Sequence, residues 1–189
     1  AIVGCGQLGQ THLQMLAACH GRQRFDYLLY DHAAPVLAQA AQCADRLGLD
    51  FACAGSARAA IAQADIVITA TTAEQPFIEH AWLKPDALYC AVSLMDAHLD
   101  IFQNAALIVV DDLNQCLHEG RPLQTLAQRG LLPRERIVEL GQHLKRPAPL
   151  PGRGTVVFNP MGTVITDLAV AMAVFERALA NADYQSLEM

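Results

Sequence analysis

A glycine-rich turn lies at the start of the chain, in the segment AIVGCGQLGQ. Its glycines Gly4, Gly6 and Gly9 have the spacing G-x-G-x-x-G, between a strand-like run and a helical pattern. In such a turn the first glycine permits a tight bend, the second lets the backbone approach a pyrophosphate, and the third lets the helix pack closely against the strand. Unpaired N–H groups and the helix dipole then face the phosphates. We therefore predict a dinucleotide site at this turn, with Gln7 and Leu8 included; the alternative is a glycine turn that binds no cofactor.

An acidic residue follows at the end of the next strand-like run, FDYLLYD. Asp31 follows Gly9 by 22 residues, close to the spacing of about 20 at which an acid accepts hydrogen bonds from the adenosine ribose. A carboxylate at this place also repels a 2′-phosphate, so the sequence favours NAD, with NADP as the alternative. His32 beside it would weaken the exclusion of NADP. The other interpretation of Asp31 is a solvated acid at a strand end.

Three later strand ends carry residues that could contact a cofactor, because ligands of open parallel sheets bind beyond the carboxyl ends of the strands. Threonine hydroxyls after the fourth strand can bond a ribose or a nicotinamide. Asp96 follows the fifth strand, where a carboxylate would lie near a nicotinamide; its alternative is the N-cap of the segment DAHLDIF. The motif NPMG at 159–162 follows the last strand, where a glycine lets the backbone approach a ligand; its alternative is an ordinary turn. The residues predicted at these ends are Thr71, Ser93, Met95, Asp96, Met161 and Gly162.

The elements that would position these residues alternate between strands and helices up to Asp112. Apolar strand-like runs occupy 1–4, 25–31, 50–54, 64–72, 87–94 and 106–112, and helical patterns occupy 10–19, 35–47 and 57–64. This β-α-β-α rhythm predicts an α/β fold with a doubly wound parallel sheet.

The pattern changes after Asp112. Short helices are predicted at 113–120, 122–130 and 133–144, a proline- and glycine-rich loop at 145–154, and a last strand at 155–160. An unbroken helix follows at 166–182, and its larger apolar residues recur at helical spacing: Leu168, Met172, Phe175 and Leu179.

Composition excludes several classes of function. The net charge is −6 and no basic run is present, so we predict no nucleic-acid partner. The longest apolar runs have strand length, too short to cross a bilayer. The six cysteines form no CxxC pair, which is typical of free thiols in a reducing cytosol. The seven histidines show no metal-ligand spacing and no G-x-S-x-G motif is present, so we predict neither a metal site nor a serine nucleophile.

The order of these segments resembles the ornithine cyclodeaminase/mu-crystallin family. The resemblance runs from Ala1 to about Ala180 through AIVGCGQLG, ADIVITATTAEQPFI, WLKPDALYCAVS, Asp96, ALIVVDDLNQCLHEG and TVVFNPMGTVITDLAVAMAVFERA. The pairing of LHEG with a late F-x-x-x-G-x-x-x-x-D element is the more specific part; that element consists of Phe158, Gly162 and Asp167.

The resemblance implies an enzyme of two domains, and the free thiols predict a cytoplasmic location. A Rossmann domain, here 1–154, holds NAD(P), and a second domain binds an amino-acid substrate and forms a homodimer. The segment 155–189 would belong to the second domain, whose remainder supplies a catalytic lysine and the basic residues for the substrate carboxylate. None of these is in this chain, so we expect it to be the C-terminal portion of a longer protein.

The resemblance also implies the chemistry: hydride transfer between the Cα of an amino acid and nicotinamide, through an imine. The family's catalytic aspartate matches Asp96. Ser93-Leu94-Met95-Asp96 and Asp111-Asp112 are similar to a siderophore-pathway branch that releases 2,3-diaminopropionate and 2-oxoglutarate, although that branch has Arg where this chain has Met95. The Cys-Pro-Gly-Lys-like turn of ornithine cyclising enzymes is replaced by 97–100, Ala-His-Leu-Asp. Ornithine cyclodeaminase-like, ketimine reductase and alanine dehydrogenase activities remain alternatives, as does a non-catalytic nucleotide-binding protein.

Overall fold

Eight short strands form one sheet in the computed structural model, which describes residues 1–118 and 120–182. They are β1 (Ile2–Val3), β2 (Tyr27–Tyr30), β3 (Phe51–Cys53), β4 (Ile66–Thr69), β5 (Leu88–Ala91), β6 (Leu107–Val110), β7 (Ile137–Glu139) and β8 (Val156–Asn159). Every pair is parallel and the strand order is β3-β2-β1-β4-β5-β8-β6-β7. The chain therefore moves outward from β1 to β3 and then returns past β1 to β4. This reversal is the switch point at which doubly wound sheets bind ligands, and the predicted fold class is confirmed.

Helices connect most of the strands. They are α1 (Gln7–His20), α2 (Ala34–Leu47), α3 (Ala57–Ile61), α4 (Leu99–Asn104), α5 (Leu113–Cys116), α6 (Pro122–Gln128), α7 (Leu140–Lys145) and α8 (Val164–Ala180). Local sequence explains several ends. Pro35 lies in the first turn of α2, and Gly48 ends the helix in the left-handed conformation at φ 65°. The Ser56 hydroxyl accepts a hydrogen bond of 3.1 Å from the Ala59 N–H and caps α3.

Strand β7 differs from the prediction, which placed a helix over 133–144. Ile137 pairs with Ile108 of β6, and the strand forms one edge of the sheet. The Arg136 guanidinium donates hydrogen bonds to the carbonyls of Gln103 (3.2 Å) and Ala105 (2.9 Å), which precede β6. These contacts fix the start of β7 beside β6, so tertiary pairing overrides the weak helical pattern. Helix α1 also differs, because it begins at Gln7 instead of residue 10.

Two apolar clusters pack against opposite faces of the sheet. One includes Tyr89 of β5, Phe102 of α4 and Leu126 of α6, all fully buried. The other joins Leu13 of α1 to Leu29 of β2 and covers the half of the sheet nearest β3. Each large side chain buried in this way contributes about 1.5–3 kcal/mol relative to an exposed one.

The second face is less well covered over β5, β8 and β6. Alternate residues of these strands point to that face and are only half-buried; we call them the open face: Leu88, Cys90, Leu107, Val109, Val156 and Phe158. Helix α8 is the other apolar surface left uncovered, because none of its residues is buried. Strand β8 precedes α8 in the chain but, unlike that helix, it lies inside the sheet, between β5 and β6.

The glycine turn depends on a close backbone contact, which a pair of substitutions tests. A Cβ added at Gly9 would overlap the carbonyl oxygen of Gly4, whereas a Cβ added at Gly6 meets no atom within 4 Å. We therefore expect Gly9→Ala to lower the free energy of unfolding by about 1–3 kcal/mol or more. Gly6→Ala should change it by less than about 1 kcal/mol. Urea unfolding followed by circular dichroism measures both, and equal losses in the two variants would contradict the prediction.

Candidate functional site

The glycine turn joins the end of β1 to the start of α1 at the switch point. Gly4 adopts φ +89°, a conformation that favours glycine, and its N–H donates to the Tyr30 carbonyl at 2.9 Å. A Cβ there would also overlap the backbone at Ala70, after β4. Gly6 lies at the N-cap of α1 and faces open space. The turn thus presents bare backbone and a helix N-terminus, as a phosphate requires.

The Asp31 carboxylate, at the end of β2, contacts this turn. One carboxylate oxygen accepts a hydrogen bond of 2.8 Å from the Cys5 N–H, and the other accepts one of 2.8 Å from the Ala33 N–H. Its side chain is only 10% exposed, which differs from the solvated acid considered as the alternative. Each oxygen retains a lone pair for a ligand hydroxyl. His32 is far more exposed, at 90% of its side chain, and its Nδ1 lies 3.5 Å from Asp31.

Cys5, which separates the first two glycines, is fully buried. Burial, followed by the nearby Asp31 carboxylate, raises the pKa of the Cys5 thiol to about 12. The thiol is therefore protonated at neutral pH and directs its Sγ toward the Tyr30 carbonyl at 3.4 Å. No thiolate charge opposes an anion at the turn. All six cysteines of the chain are free.

A cleft of about 830 Å³ runs along the carboxyl ends of β1, β2 and β4, within the size range of cofactor sites. Five predicted residues line it: Gly4, Gly6, Asp31, His32 and Thr71. Gln7 and Leu8 are exposed at the start of α1, and Gly9 is buried against β1.

Sequence reasoning missed part of this cleft. Arg58, Phe77 and Trp82 also line it. The Arg58 guanidinium carbon lies 6.0 Å from the centroid of the Trp82 ring, within the range of a cation–π contact. Phe77 and Trp82 lie in segments that carry the family resemblance, but their spacing predicts no site, because α3 and the segment after β4 bring the three residues together only in the folded chain.

Asp96 lies where predicted, beyond β5, but it is almost completely buried, at 1% exposure. The Thr71 hydroxyl donates to one carboxylate oxygen at 2.5 Å, and the Ser93 hydroxyl donates to the other. Because Thr71 lines the cleft, its hydroxyl links the Asp96 carboxylate to the cleft. Asp96 is not the N-cap of the following helix, because His98 occupies that position of α4. Met95 beside it is half-buried.

Thr69 belongs to the core, as its strand position suggests. It is fully buried and its hydroxyl lies 3.2 Å from the Tyr89 hydroxyl. Burial raises the pKa of Tyr89, so this pair stays neutral. Of the threonines at the end of β4, Thr71 and Thr72 line the cleft, whereas Thr69 does not.

The turn after β8 carries Met161 and Gly162. Both N–H groups donate to the carboxylate of Asp111, at the end of neighbouring β6. Gly162 adopts φ +82°, and Met161 is half-buried against the apolar cluster of Tyr89. This turn follows β8, which pairs with β5. Ser93 and Asp96 follow β5, so the two loops come after adjacent strands.

Other functional groups are sparse. Among residues 1–118 and 120–182, no group of three or more His, Cys, Asp or Glu side chains could hold a metal ion. In the same residues no helix has the length and apolar content needed to span a bilayer. Glu119, part of the LHEG segment, lies outside the described residues. The site therefore consists of bare backbone, two carboxylates and hydroxyls at the ends of parallel strands, a geometry that defines a dinucleotide-binding type of fold.

The chain belongs to the ornithine cyclodeaminase/mu-crystallin family, whose model matches residues 1–182. It is 31% identical over 188 residues to the N-((2S)-2-amino-2-carboxyethyl)-L-glutamate dehydrogenase of Staphylococcus aureus, a match that covers 94% of this chain and 54% of the relative. The chain thus spans about half the length of that curated relative.

Solved structures share the fold at lower identity. The iminosuccinate reductase of Paracoccus denitrificans in complex with NAD+ superimposes with a TM-score of 0.86 at 23% identity, over 100% of this chain and 59% of that one. An archaeal alanine dehydrogenase dimer with bound NAD gives a TM-score of 0.82 at 21% identity, over 100% of this chain and 59% of that one.

Proposed function

We propose that this chain is the cofactor-binding portion of an NAD-dependent enzyme that acts on an amino acid at Cα. The observation that carries the proposal is the contact between Asp31 and the glycine turn, where a mostly buried carboxylate borders the cleft beside bare backbone at Gly4 and Gly6. Such a carboxylate suits the hydroxyls of an adenosine ribose and disfavours a 2′-phosphate. The NAD complexes of the iminosuccinate reductase and the alanine dehydrogenase support the same choice.

The chemistry is hydride transfer between the substrate Cα and nicotinamide, which supplies or accepts the hydride, through an imine of the substrate. In this chain the glycine turn orients the dinucleotide and the strand ends orient its reactive half. Asp96 places its carboxylate against the hydroxyls of Thr71 and Ser93, where we assign it the stabilisation of a developing iminium and the relay of a proton through a hydroxyl. We assign Asp96 the role of the family's aspartate on this basis.

The substrate we favour is an N-substituted amino acid that NAD would oxidise at Cα to an imine. Hydrolysis of the C=N bond by water would then release 2,3-diaminopropionate and 2-oxoglutarate for siderophore synthesis. The relative in Staphylococcus aureus and the run Ser93-Leu94-Met95-Asp96 support this branch. Met95 brings no charge to the substrate, so specificity would rest on other contacts. Cyclodeaminase, ketimine reductase and alanine dehydrogenase activities are the alternatives within the family.

Asp31→Ala tests the cofactor. We expect the variant to bind NAD about tenfold more weakly, because a charge-assisted hydrogen bond to the ribose is lost, and to bind NADP more tightly, because the repulsion of the 2′-phosphate is removed. Isothermal titration of wild type and variant with both nucleotides measures the ratio of affinities. Asp45→Ala, which removes an exposed carboxylate of α2, is the control for net charge. An unchanged NAD/NADP ratio in Asp31→Ala would remove this residue from the ribose site.

Asp96→Asn tests the chemistry. We expect turnover of the complete protein to fall by about 100-fold or more, while the Kd for NAD stays within about twofold, because the amide keeps the size of the side chain but loses its charge. Initial rates at 340 nm with candidate amino acids provide the measurement. Asp50→Asn, an exposed carboxylate before β3, is the matched control. Wild-type turnover in Asp96→Asn would contradict a catalytic role, and tight NAD binding without any turnover in wild type would favour the non-catalytic binding protein.

We also propose that the segment 155–189 contributes, through α8, to a second domain that completes a homodimer, while β8 lies in the sheet. The support is the uncovered apolar surface of α8, which includes Val164, Ile165, Leu168, Val170, Met172, Val174, Phe175 and Leu179. Side chains of this size gain about 1.5–3 kcal/mol each on full burial. The solved alanine dehydrogenase is a dimer. Free thiols in the chain are typical of a reducing compartment such as the cytoplasm.

Phe175→Asp tests this surface in the complete protein. Phe175 is 64% exposed, and we expect its replacement by a charge to weaken association, because burying an unpaired carboxylate at an interface is costly. Sedimentation velocity over a range of concentrations measures the effect, with the NAD affinity unchanged. Glu176→Asp places the same side chain at the adjacent position of α8 and is the control. A sedimentation coefficient equal to that of wild type would place the interface elsewhere.

A further inference from the structure

The carboxylate of Asp111 makes more backbone contacts than that of Asp31, and it lies outside the cleft described above. It accepts hydrogen bonds from the Met161 N–H at 3.0 and 2.9 Å and from the Gly162 N–H at 2.7 Å. It also accepts one of 2.9 Å from the N–H of Asp112, the next residue. Both of its oxygens are therefore occupied by peptide groups. Such a carboxylate is suited to hold backbone in place.

The turn held by Asp111 has a second anchor. Asn159, at the end of β8, is buried, and its amide lies 3.6 Å from the Sγ of Cys116 in α5. Met161 packs against the apolar cluster of Tyr89. Gly162 adopts φ +82°, a backbone conformation that favours glycine, and α8 begins two residues later at Val164. The position of the turn thus depends on β6 and α5 as well as on its own sequence.

The same arrangement recurs at three pairs of neighbouring strands. Asp31 after β2 holds the N–H of Cys5 after β1, and Asp96 after β5 accepts from Thr71 after β4. Asp111 after β6 holds the turn after β8. The first two of these contacts involve residues at the cleft. The third contact lies at the turn after β8, and β8 adjoins β5. The reactive half of a dinucleotide bound at Gly6 would extend toward this side of the sheet.

We propose that Asp111 is a positioning residue that fixes the Met161–Gly162 backbone against the nicotinamide end of the cofactor. This inference rests on the proposed function, since it assumes NAD in the cleft. In this arrangement Asp111 contributes to the affinity for the nicotinamide half of NAD and does not contribute to the affinity for its ADP-ribose half. It also sets the direction in which α8 leaves the sheet.

The contact itself is tested without any cofactor, by Asp111→Asn in the complete protein. An asparagine side chain has only one acceptor oxygen. Its NH2 group replaces the second carboxylate oxygen and cannot accept hydrogen bonds from the backbone N–H groups there. We expect hydrogen exchange of the Met161 and Gly162 amides to speed up by about tenfold or more. Asp112→Asn is the matched control, because the Asp112 side chain accepts from the Gln115 N–H at 3.0 Å in α5, whereas the Met161 and Gly162 N–H groups donate to Asp111. Unchanged exchange of both amides in Asp111→Asn would overturn the proposal.

The cofactor role is tested by titrating the same two variants with NAD and with ADP-ribose. We expect Asp111→Asn to bind NAD about tenfold more weakly, with ADP-ribose affinity unchanged within about twofold and Asp112→Asn close to wild type for both. Equal weakening for the two ligands would show a general structural defect and overturn the positioning role, as would unchanged NAD affinity with faster exchange. If wild type binds neither ligand, the proposed function fails together with the cofactor role of Asp111, while the exchange data still decide whether the carboxylate holds the turn.

Discussion

The structure depends most on a close approach of backbone at the switch point of the sheet. Gly9 of α1 lies against the carbonyl of Gly4, and Gly4 in turn lies against the backbone at Ala70 after β4. Neither position has room for a Cβ, so α1 can begin directly beyond β1 only because both residues are glycine. Gly6 is different, because its Cβ position is open. Two of the three glycines therefore serve the fold, and the third leaves space for a ligand.

Carboxylates connect loops along the edge of the sheet where this contact lies. Asp31, Asp96 and Asp111 each follow a strand and each accept hydrogen bonds from the segment after a neighbouring strand. Hydrogen bonds to charged acceptors contribute about 1.5–3 kcal/mol each, enough to fix loops that the sheet itself does not pair. The loops that would contact a cofactor are thus held by the same chemical device along the sheet. This explains why acids are found at the strand ends although the cleft would bind an anionic ligand.

Two apolar surfaces distinguish this chain from a fully covered sheet. The open face over β5, β8 and β6 is half-buried, and α8 has no buried residue. Because β8 is held between β5 and β6 while α8 leaves the turn fixed by Asp111, the sheet determines where α8 starts.

The sequence by itself determined the class of the fold, the glycine turn and the acid at the end of β2, because these depend on local spacing: apolar runs, turn glycines and a strand end. It also located Asp96 beyond β5. It did not determine that Asp96 is buried under Thr71 and Ser93, that Arg58 and Trp82 line the cleft, that 137–139 forms an edge strand, or that Asp111 holds the turn at Gly162. Those features join residues from 3 to 51 positions apart in the chain. The strand order β5-β8-β6-β7 brings the elements after β5 together only in the folded chain. Contacts between strands that are not consecutive leave no periodic signal in the sequence.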